Sequence, residues 1–233
     1  MAVKEPNRSH CVGKGKPVSV ATTPERCAKR IVKRNACALE SMHRPPVLPA
    51  MKYCSNCGAP VEHRVPPGDT LPRHVCPACG SIHYQNPKVV VGALAEWDGR
   101  ILLCRRAIEP RQGFWTLPAG FMENRETTAE AAARETLEEA CARIQVGALY
   151  TLFDIPHISQ VHLVYRAQLL DLDFRPGEES LDVALFDEAD IPWREIAFRS
   201  IERTLRLYFE DRRRGHWPLH TGSILPSTNP PLD

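Results

Sequence analysis

The hydrophobic pattern past residue 86 alternates between two periods. Val89 to Trp97 (VVVGALAEW) is a β-rich apolar run, and Ile101 to Ala107 (ILLCRRA) is a second one. The Asp98-Gly99 pair between them predicts a tight hairpin turn. Glu109 to Gly113 reads as a loop. Further on, Ile144 to Asp154 and Gln160 to Leu170 alternate well enough to be two strands, with Pro156 in the connection. Glu178 to Phe186 predicts another strand with acids at its entrance, and Ile191-Pro192-Trp193 a turn. Ser200 then opens a helix in which Ile201, Leu205, Tyr208 and Phe209 recur at helical spacing. Its basic end suits a helix C-terminus. From His216 onward Pro and Ser predict a flexible tail, residues 216–233. No internal repeat is present.

One helix in this series carries chemistry. Thr127 is a good N-cap, and Glu130 three residues later completes a capping box. Ala131 to Ala133, Leu137 and Ala140 favour helix continuation. Ala129, Ala133, Leu137 and Ala140 predict the apolar, buried stripe. Glu135 and Glu139 stand one turn apart on the other side, with Glu138 within one turn of Glu135. Like charges at this spacing destabilise a helix. A hard cation such as Mg2+ or Mn2+ relieves that repulsion, because it prefers oxygen ligands. On composition alone a solvated acidic face, softened by Arg134 and Arg143, is the favoured reading.

The spacing is more specific than the composition. Gly120, Glu126, Arg134, Glu135, Glu138 and Glu139 occupy the six fixed positions of Gly-x5-Glu-x7-Arg-Glu-U-x-Glu-Glu, with U an apolar residue. At about 6% usage per residue type, chance would supply such a match in a chain of this length with a probability of about 10^-5. The stretch resembles the Nudix box. Trp115-x-Leu117-Pro118-x-Gly120, leading into it, is similar to the approach found in Nudix hydrolases. Two positions depart from the pattern. Cys141 stands where the family has its last Gly, which predicts an altered helix exit. Thr136 and Ala142 are weak versions of apolar positions. Neither removes a proposed ligand.

The resemblance implies an α/β fold, an α/β/α sandwich around a mixed sheet. It implies hydrolysis of a phosphoanhydride in a nucleoside diphosphate linked to another moiety. It assigns Glu135, Glu138 and Glu139 to catalytic Mg2+ or Mn2+, with Glu126 completing the shell partly through water. Arg134 would orient a neighbouring carboxylate, and Gly120 would let the backbone turn tightly. The general base is a box Glu, Glu135 or Glu138, or a later one. Glu179 is the later candidate and Glu178 its alternate; a solvated acidic loop accounts for both equally well. Members of the family are often homodimers, in which one copy can contribute substrate contacts to the other.

Upstream, Cys54-x2-Cys57 and Cys76-x2-Cys79 are separated by eighteen residues, and each pair is followed by Gly. This spacing predicts a zinc ribbon over residues 51–85, in which four thiolates close a tetrahedron around a structural Zn2+. A redox CxxC explains one pair but not two. Four sulfurs complete the shell, so His63, His74 and His83 are expected on the surface. Asn86-Pro87 marks the boundary to the second domain, residues 86–215. Cys104 reads as a core residue, and Cys11, Cys27 and Cys37 have no ligand spacing.

Composition narrows the picture further. The chain has 233 residues, 43% hydrophobic and 25% charged, and a formal net charge of +2. Ten Lys and Arg against three Glu give residues 1–50 a charge of +7 and leave −5 for the rest. An acidic folded body argues against nucleic-acid binding. Residues 1–50 read as a disordered basic extension; a transit peptide is a second reading, and translation starting at Met51 is a third, favoured narrowly over a genuine tail. No run approaches the roughly 20 apolar residues of a membrane span. Two CxxC pairs without a secretion signal point to a reducing compartment, the cytoplasm.

For substrate, a zinc ribbon joined to a Nudix domain resembles the NADH pyrophosphatases. Those carry a Ser-Gln-Pro-Trp-Pro-Phe-Pro-x-Ser motif where this chain has YTLFDIPHISQVHLVY. The stretch from Cys54 to Phe198 is more similar to a bacterial and plastid subgroup whose plant members hydrolyse FAD and ADP-ribose. A catalytically silent nucleotide-binding regulator is the reading from another class, and a zinc-ribbon adaptor using the basic extension is a third. Phe114, Trp115 and Phe153 are candidate stacking surfaces, or core.

Overall fold

The computed structural model describes residues 51–226. The basic extension, the three cysteines within it and the last seven residues lie outside the described residues. The chain opens with a three-stranded antiparallel sheet, β1 (Glu62–Arg64), β2 (Arg73–Val75) and β3 (Ile82–His83), in the order β1-β2-β3. The main sheet follows. Its path joins β10 (Ser180–Phe186), β5 (Arg100–Arg106), β4 (Lys88–Trp97), β9 (Gln160–Leu169), β8 (Ile144–Ile155) and β11 (His220–Ser223) in that order. Short strands β6 (Trp115–Thr116) and β7 (Ala119–Phe121) pair with β5 and β4. The sheet is mixed: β4 runs parallel to β9, β11 parallel to β8, and the other pairs are antiparallel.

Alternation along the strands feeds two cores. On β4, Leu94 packs with Ile101, Leu103 and Tyr150, and with Ile201, Leu205, Tyr208 and Phe209 of helix α2 (Arg199–Arg214). Its neighbours Val91 and Ala93 face the other way, onto Ala131 and Ala132 of helix α1 (Thr128–Ala140). Leu102 and Cys104 of β5 do the same with Ala140. A helix on each face of a mixed sheet is the α/β/α sandwich expected. Both faces are covered, which explains why Val89 to Trp97 is almost continuously apolar. Asp98 and Gly99 both have positive φ, 48° and 76°, as a hairpin with the right-handed strand twist requires.

Two expectations are corrected. Residues past His216 do not all form a loose tail: His220–Ser223 pairs in register with Thr151–Asp154 at the open edge of β8. Edge pairing satisfies its backbone groups, and His220 Nε2 meets the buried Asp211 carboxylate at 2.6 Å. The buried side of α1 is also different. Ala131, Ala132, Thr136 and Ala140 are buried, whereas Leu137 is 52% exposed. Among the described residues no helix is long and apolar enough to cross a membrane.

Candidate active site

Helix α1 begins as its sequence requires. Thr127 accepts from the Glu130 N–H, and the Glu130 carboxylate accepts from the Thr127 N–H at 2.7 Å. It ends on Cys141, which adopts the left-handed conformation at φ 48° that Gly would otherwise supply. Between these caps Glu135 and Glu139 lie toward the sheet, while Glu138 stays exposed. Glu135 and Glu139 are each only 8% exposed, so the acids share the buried side with the alanines instead of opposing them. Small Ala residues leave the space this needs.

Burial of charge demands partners. Arg134 supplies most of them: Nε and Nη2 donate to Glu126, and Nη1 donates to Glu135 at 2.7 Å and to Glu138 at 2.9 Å. Hydrogen bonding from Arg134 holds the Glu126 carboxyl down to about 2. Glu139 accepts from the Ala119 N–H at 3.1 Å. Its burial nevertheless pushes its pKa up to about 7. The Ala119 bond opposes this shift, as does Arg106, while the charges of Glu135 and Glu179 add to it. Burial likewise raises Glu135. Gly120 closes the cradle: a Cβ there would overlap the Glu135 carboxylate.

These groups line a cleft of about 1010 Å3. Gly120, Arg134, Glu135, Glu138 and Glu139 all contribute, and so do Glu178 and Glu179 from the loop before β10. That loop is tied to the end of α1, with Arg175 N–H donating to the Ala140 carbonyl and Gly177 N–H to that of Glu139. Glu126 reaches the cluster through Arg134. Carboxylates of the helix and of the facing loop line this one cleft, and such oxygens are the donors that hard divalent cations prefer.

Three features escaped the sequence. Arg106, at the end of β5, lines the cleft with its Nε bound to the Pro110 carbonyl and its guanidinium over Phe198. Its only signal was an Arg pair in an otherwise apolar strand. The segment Ile224–Pro226 also reaches the cleft, and no local pattern marked it. His162 and Gln160 line it too. Trp115 and Phe153 are core, as the alternative reading had them. Cys104 is buried, which raises its thiol and suits a packing role.

The four ribbon cysteines meet, with all Sγ atoms within 4.8 Å of one another. Cys54 and Cys79 are 3.7 Å apart and Cys57 and Cys76 3.5 Å. A Zn–S bond of about 2.3 Å implies S···S edges of about 3.8 Å in a tetrahedron, so the cysteines fit zinc. Each knuckle is closed by a hydrogen bond, Gly58 N–H to the Cys54 carbonyl and Gly80 N–H to that of Cys76. His83 is not a free surface residue: its Nε2 lies 3.2 Å from Cys54 Sγ. His74 is half-buried against the His63 ring.

The family model described as "NUDIX domain" matches residues 86–206. The chain belongs to the Nudix family. A second model, "Nudix N-terminal", a zinc ribbon, matches residues 52–85, so this Nudix pyrophosphohydrolase carries a four-cysteine ribbon ahead of its catalytic domain. The crystal structure of a Nudix hydrolase from Nitrosomonas europaea is similar at TM-score 0.74 and 58% identity, covering 76% of this chain and 100% of that one. An ADP-ribose pyrophosphatase of Methanocaldococcus jannaschii is 30% identical over 121 residues, 49% of this chain and 69% of the relative. A NAD-capped RNA hydrolase, NudC, of Chromobacterium violaceum is 29% identical over 158 residues, 66% of this chain and 57% of the relative.

Proposed function

We propose that this Nudix hydrolase cleaves the pyrophosphate bond of a nucleoside diphosphate linked to another moiety, with ADP-ribose or FAD as substrate and FMN plus AMP as the FAD products. The observation that carries this reading is the convergence of Glu135, Glu138, Glu139 and Glu179 on one cleft. Glu135, Glu138 and Glu139 hold Mg2+ or Mn2+, and the four ribbon cysteines hold structural Zn2+. The bound divalent cation supplies positive charge to the anhydride and lowers the pKa of water.

The chain's own groups do the rest. Arg134 orients Glu126, Glu135 and Glu138, and the Ala119 N–H orients Glu139. Glu179, beside Glu139, takes the proton of the attacking water, with Glu178 as alternate. Arg106 brings a fixed positive charge against the diphosphate. Similarity to the Methanocaldococcus ADP-ribose pyrophosphatase supports this substrate class. Similarity to NudC favours a second reading, NADH pyrophosphatase or cleavage of a NAD-type cap. The sequence YTLFDIPHISQVHLVY, in place of the NADH pyrophosphatase motif, ranks that reading second. Retention of every box acid counts against a silent regulator. A small-molecule substrate, a homodimer and a cytoplasmic location complete the proposal.

The test is product release from FAD, ADP-ribose, NADH, NAD+ and nucleoside triphosphates, with Mg2+ or Mn2+ and with EDTA. Preferential, EDTA-sensitive conversion of ADP-ribose or FAD is expected. Dominance of NADH would replace the substrate. Turnover of none would replace the function by binding.

A further inference from the structure

Residues past 206 lie outside the matched Nudix domain, yet part of them enters the cleft. Strand β11 carries the chain along the edge of β8, and the Ile224 N–H then donates to the Asp154 carbonyl at 2.8 Å. Ile224 packs with Phe153 and Ile155. Arg199 Nη1 donates to the Leu225 carbonyl at 2.6 Å. The segment is therefore fixed on both sides where it meets the cleft. There Leu225, 52% exposed, and Ile158, 39% exposed, present apolar surface to the opening.

The polar part of the same wall has a defined direction. With the Gln160 amide oriented so that Oε1 faces His162 Nε2, 2.9 Å away, that nitrogen is the donor. His162 Nδ1 is then the acceptor for the Ser200 hydroxyl at 3.1 Å. Ser200 is buried. The relay commits the Gln160 carbonyl oxygen and leaves its amide N–H groups as donors at the cleft. His157 Nδ1, in the same wall, is buried without a hydrogen-bond partner among the described residues.

We infer that Leu225, Ile158 and the Gln160 amide form a subsite for the planar aromatic ring of the substrate, a nucleobase-class ring whose edge bears acceptor nitrogens or carbonyls. Apolar side chains cover the ring face, and the amide reads its edge. The ring's identity as part of a nucleoside diphosphate rests on the hydrolase reading; the location of the subsite rests on the wall itself.

The test is equilibrium binding of AMP and of ribose 5-phosphate, in EDTA, to the full chain and to Leu225→Ser and Gln160→Met. Leu225 is exposed, so thermal unfolding of Leu225→Ser should match the parent; Gln160→Met removes the acceptor of His162 Nε2 and is expected to unfold at a lower temperature, so its binding is measured well below that temperature. The parent is expected to bind AMP more tightly than ribose 5-phosphate. Leu225→Ser is expected to weaken AMP by about tenfold, the scale of one lost apolar contact, without changing ribose 5-phosphate. Gln160→Met should weaken AMP selectively as well. Equal binding of the two compounds by the parent, or unchanged AMP binding in both variants, overturns the subsite. Selective AMP binding through Leu225 without hydrolysis of any substrate would overturn the hydrolase reading and leave the subsite standing. Hydrolysis with AMP binding and KM indifferent to both variants would do the reverse.

Discussion

Gly177 passes Glu138 so closely that a Cβ on Gly177 would overlap the Glu138 carbonyl oxygen. The Gly177 N–H also donates to the Glu139 carbonyl at 3.0 Å. This contact places the loop of Glu178 and Glu179 against the helix that carries Glu135, Glu138 and Glu139, the carboxylates proposed to hold the divalent cation. Gly177→Ala must therefore push the loop away. It is expected to lower kcat by about tenfold or more, since small displacements of a catalytic group are costly. Glu179→Gln is expected to lower kcat by about 10^2 to 10^4 with KM nearly unchanged. Steady-state kinetics of both check the base assignment; full activity of Glu179→Gln would reject it.

Glu139→Gln removes one of the proposed cation-binding carboxylates and keeps the volume. Turnover is expected to fall by about 10^3 or more, while zinc content and melting temperature hold. Intact turnover would remove Glu139 from the metal site.

Cys76→Ser breaks the other cluster. It is expected to release zinc, measured by metal analysis, and to lower melting temperature, because zinc binding in such sites is folding energy. Activity should fall only in proportion to the unfolded fraction. A selective loss of kcat in folded protein would mean that the ribbon takes part in the chemistry.

His162 predicts a pH effect on stability. Burial lowers its pKa to about 4, against an ordinary value of 6.5. The unfolded chain then takes up a proton below pH 6.5 that the folded chain refuses until about pH 4. Its contribution is complete above pH 6.5 and is lost as pH falls, with a slope of at most about 1.4 kcal/mol per pH unit. Denaturant unfolding from pH 7 to 5 should show a shallower acid loss in His162→Gln than in the parent. Parallel curves would contradict a buried neutral His162.

Local features were legible in the sequence. The Thr127–Glu130 capping box, the Asp98-Gly99 turn, the two CxxC knuckles and the strand from Val89 to Trp97 depend on residues close together in the chain. So does the box spacing, which puts Glu135 and Glu139 one turn apart whatever they face.

The tertiary structure decided the rest. Periodicity reports where apolar residues lie on α1, not which face the sheet covers; Ala131 and Ala132 pack on β4, Leu137 stays out, and Glu135 and Glu139 go in. That burial is sustained by Arg134 and the Ala119 N–H, the latter twenty residues from Glu139 in the chain. HTGS at His220–Ser223 has no strand pattern of its own and is held by hydrogen bonds to the edge of β8. Long-range pairing of this kind brings Ile224–Pro226 and the Gly177 loop into the cleft. A one-dimensional pattern carries no record of which distant backbone groups will find each other.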